Sequence, residues 1–442
     1  MAISNFPAAL QPIIQQGFLE REFQDQIESM IGFRGIARRE RFPNKIGETI
    51  TKTRPGLKAP VTTPITPTSN TNLDNGLTPS TWTVEQYTLA IAMYGDTIDL
   101  NTVTNRVGIV EQFLQNAKTN GIQSAQSLDR LARNALFNAY LGGNTRVRVT
   151  LGAAGTAISV DDIRGFSSVF VNGVLTAVSG TNTMSVTVGS NVYALTGTAA
   201  DGTNVSTAPG GISGSLTFST AVTVADGTAL NTVTAYNAGT GVAPFILRPN
   251  GRGNTSAVTG TDLLTMGTVL DGVAYLRRNG VPTIDGMYNL FLDPVSARQF
   301  FADPDFKQLF QGATMAAKEF RMGRVVELVD VRVIPTTEAY VQALGGTTVR
   351  RPILVGDEAL IEGDFEGMGA RDSKDDNAEI SVVDDIVMIT REPLDRLQQI
   401  IAQSWYWIGG FTAPTDQTVN TNIVPTASAS YYKRGIVIEH AG

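Results

Sequence analysis

The sequence contains no cysteine among 442 residues and a single histidine, His440. Without thiols there can be no disulfide, thiolate metal site or cysteine nucleophile, so stability rests on packing and assembly. A Ser-His-Asp triad, a histidine-bearing zinc site or the usual general base would all have to pass through His440. Two residues from the end of the sequence, that position is expected to be an ordinary surface residue in a mobile tail. No Gly-Lys dipeptide occurs, which removes the phosphate-cradling P-loop. Gly251-Arg252-Gly253 has Ser256 where a dinucleotide loop needs its third glycine, and no strand pattern precedes it. Gly211-Ile212-Ser213 resembles half a nucleophile elbow, but position 215 is Ser and no histidine is available to serve it. The first basic residue is Arg21, and no short apolar run precedes a small-residue cleavage site, so no secretory signal is expected. No stretch of eighteen mainly apolar residues exists either, and the expected product is soluble and intracellular when made.

What is present folds. Hydrophobic residues at 42% and aromatics at 7% are enough to pack cores, and the length suggests two or three domains. The 34 Lys and Arg against 41 Asp and Glu leave a net charge of −7, a poor balance for a dedicated nucleic-acid binder.

Two charge anomalies stand out against that background. Arg34, Arg38, Arg39, Arg41, Lys45, Lys52, Arg54 and Lys58 face only Glu40 and Glu48, a net of +6. This strip is either a solvated surface or an arm that lies on an acidic partner. Between Asp357 and Asp395 thirteen acids, among them Asp372, Asp375 and Asp376, meet three bases, a net of −10. Paired carboxylates could hold a hard cation or act as acid and base, but EF-hand spacing is absent, and a solvated or subunit-contacting face is the simpler reading. An intersubunit contact between the two segments is favoured, because a projecting arm reaches outward.

Hydrophobic periodicity places a short helix over Pro12 to Ile31 and strands over Glu48 to Arg54 and Thr81 to Leu100. The five prolines from Pro55 to Ser80 predict a long projecting loop. A helical stripe follows from Thr102 to Leu141, with Asn120-Gly121 as a point where it could break, Ile122 to Leu141 as its secure part and Gly142-Gly143 as its stop. From Gly165 to Leu247 the only charges are Asp201 and Asp226, and short alternating runs are punctuated by Asn172-Gly173 and Asp226-Gly227. Those dipeptides signal hairpins, so Arg146 to about Asn250 reads as an inserted all-β sandwich, with a low-complexity linker as the alternative. Beyond Gly260 the pattern predicts a helix over Leu263 to Leu276, a strand over Tyr288 to Leu292, and helices starting at Asp293-Pro294 and Asp303-Pro304. Further strands are expected at Arg324 to Ile334, Ile353 to Val355, Ile380 to Val383, Ile386 to Arg391 and Ala429 to Ile438.

This order of basic arm, Pro/Thr-rich loop, long helix and terminal α+β region resembles the HK97-type major capsid protein of tailed double-stranded DNA bacteriophages. Local runs are similar too: Leu290-Phe291-Leu292-Asp293-Pro294-Val295-Ser296-Ala297-Arg298-Gln299, Phe301-Ala302-Asp303-Pro304-Asp305-Phe306, Gly323-Arg324-Val325-Val326, and Val333-Ile334-Pro335-Thr336-Thr337-Glu338. The resemblance implies an α+β, HK97-like capsid fold with an inserted all-β, immunoglobulin-like domain. It divides the chain into an N-terminal arm (1–45), an extended loop with flanking strands (46–100), a spine helix (101–145), the insert (146–255) and the remaining P- and A-domains (256–442). It also implies a non-enzymatic shell subunit without cofactor or metal, located in the virion and assembled in the host cytoplasm. The implied partners are further copies of itself in hexamers and pentamers, a portal, a separate scaffolding protein and a decoration protein; packaged DNA would be touched only weakly, and no membrane would be bound. A surface or adhesin protein, and a carboxylate-dependent hydrolase with a β accessory domain, are the competing classes.

Overall fold

The computed structural model describes residues 32–442 except 43–48, 56–83, 102–108, 201–213, 233–239, 242–245, 253–257, 313–326, 366–377, 418–430 and shorter gaps of one or two residues. The expected helix at Pro12 to Ile31 and most of the projecting loop therefore lie outside the described residues. The chain divides into two units: Met1–Ile50, Leu89–Ala135 and Leu360–Thr412 form one, and Thr51–Thr88, Leu136–Ala359 and Ala413–Gly442 the other. Mixed helix and sheet agree with the expected α+β class.

In the first unit, Phe113, Ala117, Ala125 and Leu128 recur at helical spacing and put one apolar stripe on the long helix Ile109–Tyr140. That stripe packs on Leu100, Val383, Ile386, Met388, Ile401, Trp405 and Trp407 of a six-stranded sheet. Burying each such large side chain contributes about 1.5–3 kcal/mol. The helix runs unbroken through Asn120-Gly121, contrary to the expected break. Asn120 is buried and its Nδ2 donates to the Gln403 carbonyl at 3.1 Å, so the polar residue is used against the sheet rather than against its own helix.

The backbone of this sheet is Ile400–Thr412, a strand the sequence reading did not anticipate. It pairs antiparallel with Ala92–Asn101 along Ile400–Gly409, with Ile386–Arg391, and at its end with Ile361–Phe365. Gly410 is required there, since a Cβ would overlap the Ala90 carbonyl. The single strand expected over Thr81 to Leu100 changes partner at Ile91. Val84–Ala90 pairs with Thr49–Pro55 in a separate two-stranded ribbon, while Ala92–Asn101 joins the large sheet.

In the second unit, the charge-poor block forms a seven-stranded sheet plus the hairpin Ser168–Val171/Val174–Ala177. They share one core, with Val169 and Phe166 packed among Val160, Val186, Leu195, Leu216 and Leu230. The block is therefore ordered sheet and not a linker. Two details depart from expectation. Leu216 to Phe218 and Val222 to Val224 belong to one strand, Gly214–Val224, interrupted by register shifts. Asp226-Gly227 does not close a hairpin, because Ala229–Thr232 pairs with Thr183–Val188 and Asn144–Arg146 instead.

The rest of this unit is a six-stranded sheet ordered Ile246–Leu247, Gly435–Ile438, Ile353–Val355, Tyr288–Leu292, Val331–Pro335, Glu327–Leu328. Tyr288–Leu292 is buried on both faces, as a central strand demands. The helices Met266–Arg278, Pro294–Ala302 and Pro304–Gly312 supply Val269, Val273, Leu276, Phe300 and Phe306 to its core. Asp293 caps Pro294–Ala302 by accepting from the Val295 and Ser296 amides, and Pro294 occupies the first turn, where its missing N–H costs nothing. The strand expected at Ala429 to Ile438 is shorter, with Tyr431–Tyr432 separate from Gly435–Ile438.

Candidate functional site

The root of the basic arm is folded into the first unit. A short 3-10 turn, Phe33–Ile36, buries Phe33, Arg34 and Ile36, and the strand Arg38–Phe42 adds in parallel to Ile361–Phe365. Arg34 holds four acceptors. Its backbone amide donates to Asp129 at 3.1 Å, its Nε and one Nη donate to Glu362 at 3.0 and 2.6 Å, and the other Nη donates to Asp384 at 2.8 Å. The same Nη that meets Glu362 reaches the Asp384 carbonyl at 3.3 Å.

Asp384 and Asp385 are the two central residues of the Ala378–Val383/Ile386–Arg391 hairpin turn, with φ of 48° and 64°. Such a turn usually takes Asn or Gly. Here it aims both carboxylates at Arg39, at 2.5 and 2.7 Å. Burial opposes the charge on Arg39, but Asp384, Glu362 and Asp385 outweigh it and raise the guanidinium further. Burial, aided by Asp364, raises the Asp385 carboxyl against the pull of Arg39 and Arg34.

An exclusively intersubunit role for the strip is thus corrected. Arg34 and Arg39 bond within their own unit because Phe33, Ile36 and Phe42 carry the arm root into the core. Arg38 and Arg41 present exposed side chains on the same strand, and Lys52 is half-buried in Thr49–Pro55, the strand that also carries Arg54. Lys45, Lys58, Asp372, Asp375 and Asp376 lie outside the described residues.

The second unit holds a polar core that sequence reasoning missed. Glu439 is fully buried between Arg248, whose Nε donates at 2.8 Å, and Arg351, whose Nε donates at 2.9 Å. Asp262, also fully buried, is lowered to about 2; burial pushes it up, and donors from Thr259, Asn250 and Arg252 outweigh that. His440 is not a surface residue: it is fully buried, paired through its strand with Val349 and Arg350, and its Nε2 lies 2.7 Å from Ser296 Oγ. This is no catalytic triad. Asp293 contacts Ser296 rather than the imidazole, Nδ1 faces the Ala441 carbonyl, and Ser296 is as buried as the ring. Among the described residues, no cluster of acids and histidine could hold a metal, and no helix is long and apolar enough to cross a membrane.

Neither a protein-family model nor a curated protein matches this sequence. Solved structures similar to the chain include the capsid of Ralstonia phage GP4, at 9% identity and TM-score 0.47, covering 92% of this chain and 87% of that one. The capsid structure of the cyanophage P-SCSP1u is similar at 10% identity and TM-score 0.45, over 93% of this chain and 88% of that one. The capsid asymmetric unit of cyanophage Pam1 follows at 11% identity and TM-score 0.43, over 90% and 86%.

Proposed function

We propose that the chain is the shell-forming major capsid protein of a tailed double-stranded DNA phage, built on an HK97-like fold. The observation that carries this reading is the ribbon Thr49–Pro55/Val84–Ala90, whose strands pair only with each other among the described residues. A two-stranded ribbon is marginal alone in water, so this one needs a surface to lie on, and a neighbouring copy supplies it. Shell strength then comes from many modest contacts repeated over a closed lattice. A net charge of −7 supports the reading, since it keeps packaged DNA from binding the wall tightly.

The partners of this reading are further copies in hexamers and pentamers, a portal, a separate scaffolding protein and a decoration protein. Assembly takes place in the host cytoplasm, and the subunit catalyses nothing. Expressed with its scaffold, the protein should form closed shells by electron microscopy, and amides of residues 49–90 should be protected from exchange in shells but not in free subunits. A small oligomer with hydrolytic activity would overturn the proposal in favour of the carboxylate enzyme.

The β block is proposed as an independent domain on the outer surface. Its own core and single dense sheet motivate this. Residues 146–255 expressed alone should give a β-type circular dichroism spectrum and a cooperative melt, whereas a random-coil spectrum would rule out independence.

A further inference from the structure

The His440 node is one hydrogen short. His440 Nδ1 lies 2.8 Å from the Ala441 carbonyl oxygen, Nε2 lies 2.7 Å from Ser296 Oγ, and Ser296 Oγ also contacts an Asp293 carboxylate oxygen. A carbonyl can only accept, so the ring proton belongs on Nδ1. The one Ser296 hydroxyl hydrogen then faces two acceptors, the Nε2 lone pair and Asp293.

An added proton would complete the set, but its surroundings resist it. His440 and Ser296 are fully buried and Asp293 is 3% exposed. Asp293 already pairs with Arg350 at 2.5 Å and accepts from the Val295 and Ser296 amides. The other nearby charges are committed as well: Glu439 to Arg248 and Arg351, and Asp262 to Arg252. The strand His440–Ala441 is itself short. Besides its pairing with Val349 and Arg350, it is held by the Ala441 amide donating to the Asp262 carbonyl and the Gly442 amide to Thr348, each at 2.8 Å.

We propose that this node is an acid-operated release: neutral His440 plugs the strand His440–Ala441 into the second unit, and the proton is taken up when the strand lets go. Burial holds His440 down to about 4 from the ordinary 6.5, with Arg350 pushing the same way and the Ala441 carbonyl and Asp293 pulling weakly back. Because the closed state has the depressed value, closure is fully favoured above about 6.5, weakens as pH falls and levels off below about 4. Between pH 7 and pH 5 the opening constant should rise about twentyfold by this linkage.

The test does not depend on the capsid reading, since it uses the full-length, unassembled subunit. With one histidine in the chain, a ¹⁵N-histidine spectrum needs no assignment. It should show a neutral ring protonated on Nδ1 at pH 7 that titrates well below the ordinary histidine range. Hydrogen exchange of the Ala441 and Gly442 amides, corrected for intrinsic rates, should report the twentyfold rise, and His440→Gln should abolish its pH dependence. Titration of the native ring near 6.5, an opening constant that ignores pH, or an unchanged dependence in His440→Gln would each overturn the proposal. If His440→Gln fails to fold, the wild-type titration and exchange decide.

Discussion

Replacing Glu439 by alanine should lower the stability of the subunit by about 3–5 kcal/mol, the usual cost of breaking a buried ion pair from one side. Arg248 and Arg351 keep only 7% and 1% of their side chains exposed, so neither guanidinium can regain water without the fold opening. The loss would be local in cause and wide in effect. Glu439 follows the strand Gly435–Ile438, and its amide also bonds to Leu247, so it ties together the strand leaving the β block and the central sheet. Denaturant melts should show the midpoint falling steeply in Glu439→Ala and less in Glu439→Gln, which keeps the shape and loses the charge. Replacing all three ionic residues by well-packed apolar ones should restore most of the stability, because the desolvation cost goes with the charges. If Glu439→Ala melts like the wild type, the trio contributes nothing to stability.

Arg34→Ala should cost a comparable 3 kcal/mol or so, by leaving Glu362 buried without its partner. The contrast with its neighbours in sequence is the informative part. Reversing Arg38 and Arg41 to glutamate should leave stability within about 0.5 kcal/mol, as for exposed sites generally. The same double reversal should nonetheless impair shell assembly, and assembly of the wild type should weaken as salt rises. Normal shells from the double reversal at low salt would mean that Arg38 and Arg41 lie on a solvated face. Loss of folding in that variant would mean that their charges, like that of Arg34, act inside the subunit.

Much of the architecture was legible in the residues because it rests on local signals. The helical stripe of Phe113, Ala117 and Leu128, the all-apolar run Tyr288–Leu292 and the Asp-Pro helix starts depend only on periodicity and capping. The β block was legible as sheet for the same reason, although which strands pair was not. Asp226-Gly227 has hairpin chemistry, yet the strands it joins find better partners elsewhere.

The polar sites were not legible. Arg34 and Arg38 look alike in a basic strip, and only the packing of Phe33 and Ile36 decides that the first is buried and clasped while the second is exposed. His440 reads as a tail residue until the strand Val349–Arg350 comes alongside it and Ser296 arrives from a distant helix. The sequence by itself determined the class of fold, the main helices and the absence of thiol chemistry, since these follow from local spacing and composition. Only the tertiary structure decided which charges are buried and whom they meet, because that depends on contacts such as Arg34 with Glu362 and Arg248 with Glu439, between residues far apart along the chain.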